Sequence, residues 1–309
     1  MSDNVVKVAV GVVYDANNRI YITQRAVDVH QGGLWEFPGG KQEPGESRQQ
    51  ALCRELKEEL GIDVQRADPL IQVSHVYSDC HVLLDVWEVR DYAGQPQGME
   101  GQPGQWVELS ALPAYAFPLA DRPIIKAISL PSAYMITPNH FDLVHQLPDL
   151  LQQGVRLIQV RLPGISRSAL QTMLCDIQPL VEQYSVTLLL NRHVEWVEGL
   201  SLHGVHLSGE QLRSYTARPL SADYWVGASC HTREELQLAQ ALCVDFVVLS
   251  PVNKTLSHPQ AEPLGWPQFA QMCAEVNMPV YALGGVGRED IGQARQCGGQ
   301  GIAGIRDFL

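Results

Sequence analysis

From residue 133 onward the chain repeats one rhythm eight times, and that repetition limits its fold more than any other feature. Apolar, β-rich runs stand at AYMIT (133–137), VRLIQVR (155–161), SVTLLL (185–190) and HGVHL (203–207). They continue at YWVGAS (224–229), DFVVLS (245–250), MPVYALG (278–284) and GIAGI (301–305). Segments of helix length separate them, so the pattern predicts a parallel (β/α)₈ barrel. An open, doubly wound sheet has the same alternation and is the competing arrangement. The earlier residues read differently. Residues 5–13, 20–23 and 80–90 have strand character, and helix signals are confined to about 47–60 and 121–129. The expected class is α/β in two domains, 1–130 and 133–309, with a short linker near ISLPSA (128–133). The length of 309 residues suits two domains of ~100–200 residues each.

A net charge of −12 argues against contact with a nucleic-acid backbone, which wants a basic face. It does not argue against a small anionic ligand held through a metal. The seven cysteines (Cys53, Cys80, Cys175, Cys230, Cys243, Cys273, Cys297) are odd in number and form no CxxC pair, which suits reduced thiols in a cytosolic protein. The stretch MSDNVVKVAVGVVYD lacks the basic and apolar regions of a signal peptide, and no apolar run reaches the ~20 residues that span a bilayer. The expectation is a cytoplasmic protein without membrane contact, with homodimerisation left open.

The stretch LWEFPGGKQEPGESRQQALCRELKEELGI (34–62) carries the chemistry. Leu52, Leu56 and Leu60 form an apolar helical stripe, Ser47 and Gln50 a capping box, and Gly61 a stop. Glu55 lies beside Glu58 and Glu59 on that helix, where like charges cost about 0.2–0.5 kcal/mol per pair. A hard divalent cation turns the repulsion into binding. The plain alternative is a solvated acidic face paired with Arg54 and Lys57. Gly39 and Gly40 let the backbone approach a ligand, and their carbonyls are candidate metal ligands. Arg54 is placed to hold Glu46 or Glu55.

From Gly40 through Glu46 to Arg54-Glu55-Leu56-Lys57-Glu58-Glu59-Leu60-Gly61-Ile62, the chain resembles the full Nudix box. The resemblance implies an α/β/α sandwich that hydrolyses nucleoside diphosphates linked to another group. It implies Mg²⁺ or Mn²⁺ on Glu55, Glu58 and Glu59, with the Gly39 carbonyl, and Glu59 or a neighbouring carboxylate as base. Over about residues 5–129 the chain resembles the MutT-type 8-oxo-dGTP diphosphatases. That likeness assigns Arg25 and Tyr77 to the oxidised purine, Phe37 to the pocket wall and Glu100 to an additional metal-binding or basic carboxylate. It places Asp121 where the family has an asparagine that reads the purine edge. An ionised aspartate only accepts hydrogen bonds, whereas an amide also donates. Lone His30 and His81 read as structural. The expected partner is a small-molecule nucleotide; ADP-ribose or a thiamine-pathway pyrophosphate are the alternatives.

Residues 133–305 resemble thiamine phosphate synthases and their thiazole-tautomerase relatives through AYMITP, GVRLIQVR, LLLN, HGVHLSGEQL, VGASCHTREEL and VYALGG. The resemblance points to Gln159, Arg161, Gly284, Gly285, Gly301 and Gly304 as phosphate-binding positions. It also marks departures. Arg192 and Gln211 stand where the family has magnesium-binding aspartates, His258 where it has a lysine, and Pro251 where the tautomerases have a catalytic histidine. The sequence therefore expects a barrel whose synthase activity is lost or altered, with a working transferase as the alternative.

Overall fold

The first strand, β1 (Val5–Tyr14), is apolar at nearly every position, which suits a strand covered on both faces. In a computed structural model describing residues 5–29, 31–78, 80–255, 260 and 262–308, the chain divides into two units, Met1–Ser129 and Leu130–Leu309. In the first unit β1 is followed by β2 (Ile20–Gln24), β3 (Trp35–Glu36), β4 (Gly39–Lys41) and helix α1 (Arg48–Leu60). Then come β5 (Asp63–Val76), β6 (His81–Ala93), β7 (Gly104–Val107) and α2 (Arg122–Ile128). The sheet runs β3-β2-β1-β6-β5, with β4 also on β1 and β7 also on β2. β1 pairs parallel with β6, from Val5↔His81 to Val13↔Val89.

Strand alternation sends Ala9 and Val13 to one face, where they pack with Leu52, Leu56 and Leu60 of α1. Val10 and Val12 go to the other face and meet Ile124 and Ala127 of α2. The result is the expected α/β/α sandwich. Each fully buried leucine of α1 contributes about 1.5–3 kcal/mol of transfer free energy. A Cβ on Gly11 would lie 2.7 Å from Leu56 Cδ1, so that glycine lets α1 approach the sheet closely.

The second unit alternates strands and helices in the order β8 (Ala133–Ile136), α3 (Leu143–Gln152), β9 (Leu157–Val160), α4 (Arg167–Gln183), β10 (Thr187–Asn191), α5 (Val194–Val197), β11 (Gly204–Leu207) and α6 (Gly209–Ser214). It continues with β12 (Trp225–Cys230), α7 (Arg233–Ala241), β13 (Phe246–Leu249), α8 (Gly265–Cys273), β14 (Val280–Ala282), α9 (Ile291–Gln296) and β15 (Gly301–Gly304). Every neighbouring pair is parallel, and β15 pairs with β8, closing the barrel. Closure rules out the open sheet. Tyr134, Leu157, Leu189, Phe246, Val248 and Tyr281 fill the interior, and a larger apolar layer lies between strands and helices. Among the described residues no helix is long and apolar enough to cross a membrane.

Candidate active site

The site begins with how α1 is held. Ser47 Oγ accepts the Gln50 N–H at 3.2 Å, and Gln50 Oε1 accepts the Ser47 N–H at 2.8 Å. Gly61 takes a left-handed φ of 73°, and its N–H returns to the Lys57 carbonyl at 3.0 Å. Burial of Leu52, Leu56 and Leu60 then fixes the rotation of the helix. That rotation leaves Glu58 exposed and Glu55 and Glu59 half-buried.

The glycine loop meets those two carboxylates. A Cβ on Gly40 would overlap the Glu55 carboxylate, so only glycine leaves Glu55 its seat there. Gly11 N–H to Pro38 O and Gln42 N–H to Lys7 O fix the hydrogen-bonded pairs of the β1–β4 ladder. Gly39 lies opposite Val10 at a non-hydrogen-bonded pair, so its N–H and C=O turn away from β1. The N–H donates to Glu59 Oε2 at 2.7 Å. Gly40, at a hydrogen-bonded pair, spends its carbonyl on β1, which takes it off the sequence's candidate ligands.

Arg54 ties the acidic patch together. It donates to both Glu46 oxygens at 2.7 and 3.0 Å, to Glu55 Oε1 at 2.9 Å, to Glu58 Oε2 at 3.0 Å and to the Lys41 carbonyl at 3.0 Å. Its two hydrogen bonds hold the Glu46 carboxyl down at about 2. Glu59 behaves in the opposite way: burial, together with the charges of Glu36 and Glu100, pushes it up to about 7. The loop carrying Glu100 is stapled to the same residue. Met99 N–H reaches the Glu59 carbonyl at 2.9 Å, and the Gln102 amide reaches that carbonyl at 3.2 Å and Glu59 Oε1 at 3.4 Å.

A second group lies around Asp121, just before α2. Arg25 forms an ion pair with Glu36, which register brings opposite Thr23, two residues before Arg25. Asp121 is 6% exposed, and burial with the charge of Glu36 nearby pushes its carboxyl up to about 8. That shift favours the neutral form of an acid the sequence treats as an ionised acceptor. The half-buried Tyr77 lies in the field of Asp121 and Arg25. Phe37 is buried in the core and stacks on Phe117 with ring centroids 5.3 Å apart. Sequence reasoning missed Glu36 and Gln102. Neither carries a local signal, because strand register and a loop fold bring them in. His81 bonds Ser74 Oγ at 2.8 Å, and His30 lies outside the described residues.

In the barrel, the candidates other than Gly301 fall at or just past the C-terminal ends of β9, β14 and β15, and Gly301 opens β15. Gln159 does not face outward: it is 3% exposed and both ends of its amide are taken. Asn191 Nδ2 donates to Gln159 Oε1 at 3.0 Å, and Gln159 Nε2 donates to the Tyr134 hydroxyl oxygen at 3.0 Å. The Tyr134 hydroxyl then donates to His206 Nδ1 at 3.1 Å, and His206 Nε2 donates to Ser229 Oγ at 2.9 Å. Burial holds His206 down at about 3, so it is neutral and has one proton to give. Arg161 fixes its backbone N–H on Thr137 Oγ1 at 2.8 Å. Gly284 and Gly285 have φ of 95° and 62° and take bonds from Asn253 at 2.8 and 3.0 Å. Gly301 and Gly304 bound β15. Gln211 completes a capping box with Ser208 and donates to the Arg192 carbonyl at 2.7 Å. His258 lies outside the described residues.

Among the described residues, no three acidic, histidine or cysteine side chains converge as a metal cage. The donor set nevertheless suits a hard divalent cation, because it offers carboxylates at Glu55, Glu58, Glu59 and Glu100 and the outward-turned Gly39 carbonyl. Glu59 fits best. The donors that reach it are the neutral Gly39 N–H and Gln102 amide, while two further carboxylates bear on it.

Comparison with known proteins agrees with this geometry. The NUDIX domain family matches residues 9–127, and the thiamine monophosphate synthase family matches residues 133–308. The 8-oxo-dGTP diphosphatase of Escherichia coli (strain K12) is 44% identical over 119 residues, covering 38% of this chain and 92% of that protein. The CTP pyrophosphohydrolase of the same strain is 36% identical over 118 residues, covering 38% and 87%. A protein of Aquifex aeolicus (strain VF5), provisionally named thiamine-phosphate synthase 2, is 32% identical over 185 residues, covering 59% of this chain and all of its own length. The chain belongs to the NUDIX family through its first unit and to the thiamine monophosphate synthase family through its second. Its first unit is a hydrolase acting on phosphorus-containing anhydrides, of the nucleotide pyrophosphohydrolase kind.

Proposed function

We propose that the chain hydrolyses 8-oxo-dGTP to 8-oxo-dGMP and pyrophosphate with Mg²⁺ or Mn²⁺, clearing the cytoplasmic nucleotide pool ahead of DNA replication. The observation that carries the reading is Glu59, a half-buried carboxylate that joins the glycine loop, the helix and the 99–102 loop. The 44% identity to an 8-oxo-dGTP diphosphatase supports the choice of substrate.

In this reading Glu55, Glu58, Glu59, Glu100 and the Gly39 carbonyl hold the metal. Bound there, it would neutralise the pyrophosphate and help orient the attacking water. Water attacks phosphorus in line, the anhydride P–O bond breaks, and monophosphate and pyrophosphate leave. Glu59 or a neighbouring carboxylate accepts the proton of that water. Arg54 is a positioning residue: it orients Glu46, Glu55 and Glu58. Arg25, Tyr77 and Asp121 receive the base, with Phe37 behind them.

The barrel in this reading has lost thiamine phosphate synthesis. Gln211 spends its amide on a helix cap and on Arg192, where the related synthases would place a carboxylate. Gln159 is likewise spent inside, leaving Arg161, Gly284, Gly285 and Gly304 as a residual phosphate cradle.

The test is a panel of 8-oxo-dGTP, dGTP, CTP and ADP-ribose with Mg²⁺, read as pyrophosphate or phosphate release. Thiamine phosphate formation from the pyrimidine and thiazole precursors is followed in parallel. The expected result is a strong preference for 8-oxo-dGTP and no thiamine phosphate. Preference for CTP or ADP-ribose would move the substrate, and thiamine phosphate would restore the barrel as a transferase.

A further inference from the structure

Two cysteines of the barrel unit lie where the end of α9 meets α8. Cys273 is the last residue of α8 and is 6% exposed, beside the buried Phe269 and Met272. Cys297 follows the last residue of α9 and is half-buried against the same apolar layer.

Local chain geometry brings the two together. Gly298, one residue past Cys297, takes a left-handed φ of 80° and turns the chain at the end of α9. A Cβ on Gly298 would lie 3.7 Å from Cys273 Cβ, and one on Gly299 would lie 2.9 Å from the Phe269 ring. Phe269 and Cys273 are one helical turn apart, so this segment runs along a single face of α8. Disulfide-bonded residues hold their Cβ atoms about 3.8 Å apart. The backbone beside Cys297 already stands at that spacing from Cys273. Burial, with the charge of Cys297 close by, pushes the Cys273 thiol well above its usual range. The two thiols also differ in access. Cys297 is reachable from solvent, and its Sγ accepts the Gln293 amide at 3.4 Å, whereas Cys273 is enclosed. A reachable thiol beside an enclosed one is the arrangement of a peroxide-reacting cysteine and its resolving partner.

We propose that Cys273 and Cys297 form a reversible disulfide that pins α8 to the end of α9 when the protein meets hydrogen peroxide. The Cys297 sulfur attacks one peroxide oxygen, the O–O bond breaks, water leaves, and a sulfenic acid remains. The Cys273 sulfur then attacks the Cys297 sulfur. The S–OH bond breaks, and the hydroxyl leaves as a second water with the thiol proton. Two thiols have lost two electrons and two protons, and one peroxide has become two waters. A dithiol reductant reverses the bond. The closed ring runs from Cys273 to Cys297 and encloses β14, the Gly284–Gly285 turn and α9. Cross-linking restricts the unfolded chain, so the oxidised barrel is the more stable form. The inference does not depend on which nucleotide the first unit hydrolyses.

The test exposes the full, reduced chain to an excess of hydrogen peroxide and then caps the remaining thiols with N-ethylmaleimide. Trypsin places the two cysteines in separate peptides, residues 255–288 and 296–306. The expected product is these two peptides joined within one chain, two hydrogens lighter than their sum and separated again by dithiothreitol. Cys175 and Cys243, both exposed, should be joined to neither. The oxidised barrel should unfold about 5 °C or more above the reduced one, and Cys297→Ser should show neither the link nor the shift. Recovery of Cys273 and Cys297 as capped thiols overturns the proposal, as does Cys297 ending as a sulfinic acid beside a capped Cys273. A link found only between separate chains, or one that leaves the thermal midpoint unchanged, overturns it equally.

Discussion

The two units treat their polar groups in opposite ways. Around Glu59 the first unit sets carboxylates beside one another and partners them incompletely: Glu36 and Glu100 bear on Glu59, and Arg54 divides itself among Glu46, Glu55 and Glu58. Inside the barrel, five polar side chains close on one another. Asn191, Gln159, Tyr134, His206 and Ser229 form one continuous hydrogen-bonded chain across five strands, and Gln211 is consumed by a cap. A chain that keeps like charges together forgoes stability for chemistry, whereas satisfied polar networks rigidify.

The largest effect that sharpens the contrast should come from one added methyl. Gly40 does not need a left-handed conformation, so alanine is allowed by the backbone, but its Cβ overlaps the Glu55 carboxylate. Gly40→Ala should lower kcat/KM on the order of 10²-fold, the usual cost of misplacing a reacting group by an ångström. The thermal transition should move little. An unchanged rate would mean that the seating of Glu55 is immaterial. The smaller effect lies in the barrel. Tyr134→Phe removes the hydroxyl between Gln159 and His206 and leaves their polar groups unsatisfied in a buried place. Urea unfolding should show a loss of about 1–3 kcal/mol with hydrolysis unchanged. A loss of hydrolysis in that variant would break the separation between a working unit and a closed one.

Much of this was legible in the sequence because it rests on local periodicity. Six of the eight barrel strands fall within the apolar runs, β10 and β12 overrun theirs by one residue, and helix α1 begins and ends at the cap residues that mark it. The missed parts depend on pairing. β5, Asp63–Val76, holds Asp68 and Pro69 in its middle, which hides a strand; it survives at the sheet edge, with an irregularity between Pro69 and Ile71. β3, β4 and β7 are two to four residues long and are set by register against β1 and β2. The charge clustering around Arg54 was readable, since it lies within one loop and helix. Glu36 was not, because a two-residue strand brings it to Arg25. Nor was the burial of Asp121, which pushes its carboxyl above the usual range.

The central claim is that the carboxylates gathered at the glycine loop carry out pyrophosphate hydrolysis, and Glu59 is where it is most exposed to test. The measurement is steady-state turnover of 8-oxo-dGTP with Mg²⁺ by wild type and Glu59→Gln, with folding checked by circular dichroism. Glutamine keeps the shape and can still accept the Gly39 N–H, but it can neither take a proton nor bind a cation as a carboxylate does. The account predicts a fall in kcat of about 10²-fold or more in a folded protein. Turnover within a few-fold of wild type would contradict it.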